Sequence, residues 1–239
     1  MKLGIIITVS CLLSGCASLF PIQVTDPRTG IEYTVPARLQ DVPGIKELAE
    51  ACATKAGRVV HRTVEVDGYF DESLDKCESN CWHYLSWSKF RYLELEVRET
   101  NSSNHIKDKG FWRITKYPLG DNKCDQKILN RIEKFSNHAP RKIDSCLGAE
   151  SIDEPKSLYA YRSWIEIQKL SDQYESELMK GVRTVENIAG DRELLAQQVT
   201  FTLFSRSSER GTARQLVCES LSINHTVGRF KDVVLKPVN

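Results

Sequence analysis

The chain has 239 residues, with 33 Lys and Arg against 32 Asp and Glu and a formal net charge of +1. Same-sign groupings are no longer than pairs such as Arg141-Lys142, so the sequence lacks the basic stripe that neutralises phosphates, and nucleic acid is excluded as a partner. Eight cysteines point instead to an oxidising compartment.

Lys2 precedes an apolar run from Leu3 to Leu13, long enough for the core of a signal peptide and too short to span a bilayer. The run ends in Leu13-Ser14-Gly15-Cys16, which resembles the signal of bacterial lipoproteins. The resemblance covers only the N-terminus. It implies cleavage after Gly15, a diacylglyceryl thioether on Cys16 and acylation, with palmitate for example, of the new amine. Two or three acyl chains hold firmly where one holds marginally, so membrane attachment is expected. Ala17-Ser18 lacks the Asp that resembles an inner-membrane retention signal, which favours the outer membrane, with the domain facing the periplasm. Loss of residues 1–15 removes Lys2 and leaves a neutral chain.

The remaining cysteines, Cys52, Cys77, Cys81, Cys124, Cys146 and Cys218, are an even set in an exported chain. Three disulfides are expected, with fifteen pairings open. The competing use is metal, through Cys77, Cys81 and His83, but no second paired ligand set exists in the sequence, so no metal site is assigned.

Residues 22–35 alternate around the turn Asp26-Pro27-Arg28-Thr29-Gly30 and read as a tether or a small β-hairpin, the tether preferred because two short strands are marginal alone. Residues 1–15 are thus the signal, 16–42 the lipidated N-terminus with its tether or hairpin, and 43–239 a single α+β domain. Asp41 or Pro43 opens an amphipathic helix, since Ile45, Leu48, Ala49, Cys52 and Ala56 recur at three and four and Gly57 can cap it. A strand is predicted over 58–66, ending at Asp67-Gly68. The aromatic stretch 69–87 reads as irregular.

Leu93, Leu95 and Val97 alternate with Glu94, Glu96 and Arg98, the pattern of a half-buried antiparallel strand with its carboxylates in solvent, and 110–117 returns as its hairpin partner. Cys124, Ile128, Ile132 and Phe135 fall at helical spacing, predicting a short helix over 123–135. The runs 158–170, 174–188 and 194–204, joined by short polar turns, predict an antiparallel meander, with Cys218 tying the tail back to sheet or helix. The sum is an α+β fold: a mostly antiparallel sheet of about six to eight strands, an N-terminal amphipathic helix and one further short helix, stabilised by disulfides.

No motif names a reaction. GxSxG and HExxH are missing from the sequence, the histidines at 61, 83, 105, 138 and 225 are scattered, and no catalytic residue or cofactor is assigned beyond the lipid on Cys16. Glu94 and Asp125 are the acids a glycan or peptidoglycan hydrolase would call on. Trp82, Tyr84, Trp87 and Tyr92 cluster in sequence and form either core or an exposed binding patch. The leading expectation is a non-enzymatic envelope lipoprotein that binds an envelope protein or cell-wall component. The alternatives are a carrier of lipids or small ligands and an envelope hydrolase.

Overall fold

The computed structural model describes residues 21–77, 79–100, 106–130, 144–171, 175–206, 213–223 and 229–238. Cys16 with the whole signal, most of the 101–109 loop, the second half of the 123–135 helix and His105, His138 and His225 lie outside them.

Of the two readings of 22–35, the hairpin is the one that forms. Strands β1 (Gln23–Thr25) and β2 (Glu32–Thr34) pair antiparallel because Asp26 closes the turn, its backbone N–H donating to the Ile31 carbonyl and its carboxylate accepting the Arg28 N–H at 2.8 Å. The hairpin is not alone: Val24, Val35 and Leu39 pack in one apolar cluster with α1 (Ile45–Thr54). That helix buries Ile45, Leu48, Ala49 and Cys52 as its periodicity predicts, but it stops at Thr54, short of Gly57.

The predicted strand over 58–66 is two strands. β3 (Gly57–Val60) pairs with β11 (Glu193–Arg206), whereas β4 (Val64–Val66) lies parallel to β13 (Leu235–Pro237). At the break the N–H groups of His61 and Arg62 both donate to Leu195 O. Nor is 69–87 irregular, since it holds β5 (Gly68–Asp71) and the helix α2 (Ser79–Trp87). All four residues of β5 are buried, so it lacks the alternation that marks a half-buried strand. Gly68 is obligatory there, because a Cβ would run into the backbone and ring of Tyr92.

Next come β6 (Tyr92–Val97), β7 (Gly110–Pro118), the helix α3 (described over 126–130), the edge strand β8 (Ser145–Ile152), which the sequence pattern did not reveal, and the meander β9 (Tyr159–Ser171), β10 (Ser176–Asn187), β11 (Glu193–Arg206) and β12 (Ala213–Val217). The chain closes with α4 (Phe230–Val234) and β13. Strand order is β12-β11-β10-β9-β5-β6-β7-β8, with β3 beside β12 along β11. The nine-stranded sheet is mixed, because β5 runs parallel to both β6 and β9 while the hairpin and meander pairs are antiparallel.

The cover of this sheet changes sides along its width. Where β5 to β8 lie, the face carrying Leu93 and Leu95 holds the main core, with Tyr69, Trp82, Leu85, Ile114, Phe230 and Val234. Where β10 to β12 lie, the opposite face is covered, by α1 and the hairpin over Leu178, Phe201 and Leu203. The disulfide Cys52–Cys218 ties the tail after β12 to α1, as predicted, and Cys124–Cys146 pins the α3 loop to β8. Cys77 is also disulfide-bonded, and the Cys81 and His83 side chains lie outside the description.

Candidate functional site

The aromatic patch does not assemble. Trp82 is 2% exposed inside the main core. Tyr92 lies under the Arg113 guanidinium, 4.5 Å from ring centre. Trp87 alone of the four counts as exposed, at 44%. Tyr84 is drawn into a different constellation, one that the sequence does not announce because its members come from four distant elements.

Lys231, on α4, is half-buried, its side chain 15% exposed, with its ammonium between three rings: Tyr84 at 3.9 Å, Tyr161 at 4.3 Å and Tyr69 at 4.8 Å. It donates to Tyr69 Oη at 2.8 Å and to Asp71 Oδ2 at 3.1 Å, and Asp71 also accepts from the Ser73 hydroxyl and N–H. Tyr84 donates to Asp232 at 3.1 Å. Burial lowers the Lys231 pKa against the opposing pull of Asp71, and burial likewise raises those of Tyr69, Tyr84 and Tyr161. Such shifts accompany catalytic lysines, but here every polar group is spent on another and α4 closes over the set. The arrangement locks the C-terminal segment to the sheet.

Both acids singled out from sequence have structural work. Glu94 is fully buried, correcting the solvent-facing reading of its strand: one oxygen takes the Nε (2.8 Å) and an Nη of Arg113, the other the N–H groups of Lys156 and Ser157 at 3.0 and 2.8 Å. It pins the 153–157 loop. Asp125 caps α3 by accepting the Lys127 and Ile128 N–H groups. On the same face, a groove of about 460 Å³ runs over Phe70 and Phe111. Most of its charges are paired, with Glu72 between Arg162 and Arg192, Glu186 on Arg192, and Glu96 on Arg98. Among the described residues no group of three or more His, Cys, Asp or Glu could hold a metal ion.

Among the described residues nothing covers the Leu93 face where it continues over β9 to β12. Register places Ile165, Gly181 and Thr200 in one row and Ile167, Met179, Thr202 and Val217 in the next. Ile165 is 60% and Ile167 62% exposed. Gly181 keeps the middle of the shelf low; a Cβ there would sit 2.8 Å from Thr200 Oγ1. The shelf is bounded toward α4 by a cationic row, Arg58 beside Gln198 beside Arg183. The meander was legible from sequence, yet its bare face was not, because alternation shows that a strand has two faces without showing which one lacks a cover.

No protein-family model and no curated protein matches the chain.

Proposed function

We propose that the chain is a lipid-anchored envelope lipoprotein, attached through Cys16 to the outer membrane and facing the periplasm, that binds an envelope protein through the bare shelf of β9 and β10. The carrying observation is the pair Ile165 and Ile167, both well over half exposed and adjacent on one uncovered sheet face. Contiguous exposed aliphatic surface of this kind marks protein contact.

The anchor supports the same orientation. The hairpin that packs on α1 opens at Gln23, seven residues after Cys16, which supports a membrane on the α1 side and the shelf on the side away from it. A tethered module reaches high local concentration without high intrinsic affinity. The carrier alternative finds less support, because the cleft of about 720 Å³ beside α1, though floored by Ala51, Leu178 and Phe201, is open and rimmed by Glu47, Glu50, Glu166 and Lys180 rather than being an enclosed apolar cavity. The hydrolase alternative loses its candidates to the duties of Glu94 and Asp125.

The test is a photocrosslinking residue at position 165 of the lipidated chain in cells, with Ile165→Lys/Ile167→Lys as control. One recurrent envelope protein, lost in a double variant that keeps its fold, is the expected result. Adducts of lipid or wall fragments alone would overturn the reading in favour of the alternatives.

A further inference from the structure

Arg183 stands at the border of the shelf in an unusual position. It is exposed, and among the described residues it makes no ion pair or hydrogen bond. Two cations stand near it: Arg58, held below its ordinary pKa by burial and then by Arg183, and Lys231, already committed to Asp71. Like charges placed together cost free energy unless an anion joins them. Arg183 also lines a recess of about 240 Å³, together with Gly57, Thr200, Thr202, Val217 and Glu219. The recess opens where β11 passes from its pairing with β3 to its pairing with β12, which end at Val199 and begin at Thr202.

We propose that this surface recognises an extended acidic segment of its protein partner, in which a carboxylate seats on Arg183 in the recess and alternate aliphatic side chains lie on Ile165, Ile167 and Met179. An arginine fork fits a carboxylate better than any other protein group. In an extended strand residues two apart share one face, so aliphatic side chains at i and i+2 and an acid at i+4 present both chemistries at the spacing of the sheet rows. The inference rests on the binding-module reading and adds the partner's chemistry to it.

The probes are two fluorescein-labelled peptides, Val-Ser-Val-Ser-Glu-Ser-Glu and Val-Ser-Val-Ser-Lys-Ser-Lys, titrated by anisotropy against the mature chain, its Arg183→Gln and Arg183→Lys variants, and Ile165→Lys. The glutamate peptide is expected to bind at least tenfold more tightly than the lysine peptide. Arg183→Gln should weaken it about tenfold, equivalent to about 1.4 kcal/mol, and Arg183→Lys should lose less. Thermal melts check that each variant is folded. Equal binding of both peptides, or an unchanged affinity in Arg183→Gln, overturns the proposal. If neither peptide binds while position 165 still crosslinks an envelope protein, the acidic segment is wrong and the binding module stands. If the crosslink is also missing, both fail. A dimer by sedimentation that dissociates on Ile165→Lys would assign the shelf to a second copy and overturn the acidic partner.

Discussion

Arg28 joins the hairpin to the end of α1: held by the buried Asp26 carboxylate at 3.0 Å, it donates to the carbonyls of Ala53 at 3.1 Å and Ala56 at 2.9 Å. The last carbonyls of a helix need donors, and a cation suits the negative end of its dipole. Asp26→Asn removes the charge that positions the guanidinium and should cost about 2 kcal/mol, the scale of a hydrogen bond to an ion, read by urea denaturation. An unchanged midpoint would mean that the hairpin contributes nothing to α1.

The clasp also shows where the sequence runs out. The turn chemistry of Asp26 to Gly30 is local and legible, but the contact that makes a marginal hairpin stable lies 25 and 28 residues away. The long meander strands were read because they are long and alternating. β5 was missed because it is four residues long and buried on both sides, and β8 because its small and polar residues belong to an edge. Burial of Glu94 was misread for a related reason, since alternation assigns it to the face opposite Leu93 and Leu95 without disclosing that Arg113 and the 153–157 loop cover that face.

Glu94 therefore supplies a second prediction. Removing one member of a buried pair strands the other charge, at a cost of about 3 to 5 kcal/mol. Glu94→Gln should destabilise on that scale, and Glu94→Gln with Arg113→Met should recover part of it. Denaturant midpoints of the two singles and the double give the coupling, and additive losses would show that the two side chains act independently.

Trp82 and Trp87 separate core from surface within one helix. Trp82→Ala opens a cavity in the main cluster and should cost about 3 to 5 kcal/mol. Trp87→Ala, at an exposed position, should stay within about 0.5 kcal/mol. Comparable losses in both would place Trp87 in a packing role.

The Cys52–Cys218 bridge closes a loop spanning 166 residues, which the chain-entropy account values at about 5 kcal/mol. A Cys52→Ala/Cys218→Ala variant should melt well below the parent, and reductant should lower the parent toward it. A variant that melts like the parent would show that α1 and the tail are held by packing alone.

The Lys231 cluster makes stability depend on alkaline pH in two opposing ways. Because burial lowers the Lys231 pKa beneath the 10.5 of a free lysine, the unfolded chain binds more protons across the window between the two values, and stability rises with pH there. Tyr69, Tyr84 and Tyr161 have pKa values raised above 10.0, so above that pH it is the folded chain that holds more protons, and stability falls. Asp71, Asp232 and Arg183 are the charged groups that face the ammonium. Wild type minus Lys231→Met, followed by urea midpoints from pH 8 to 11, should isolate the rising limb, with the fall above about pH 10 retained in the variant. A difference that does not change with pH would mean that the lysine keeps its ordinary pKa and that its burial is offset in full by Asp71 and the three rings.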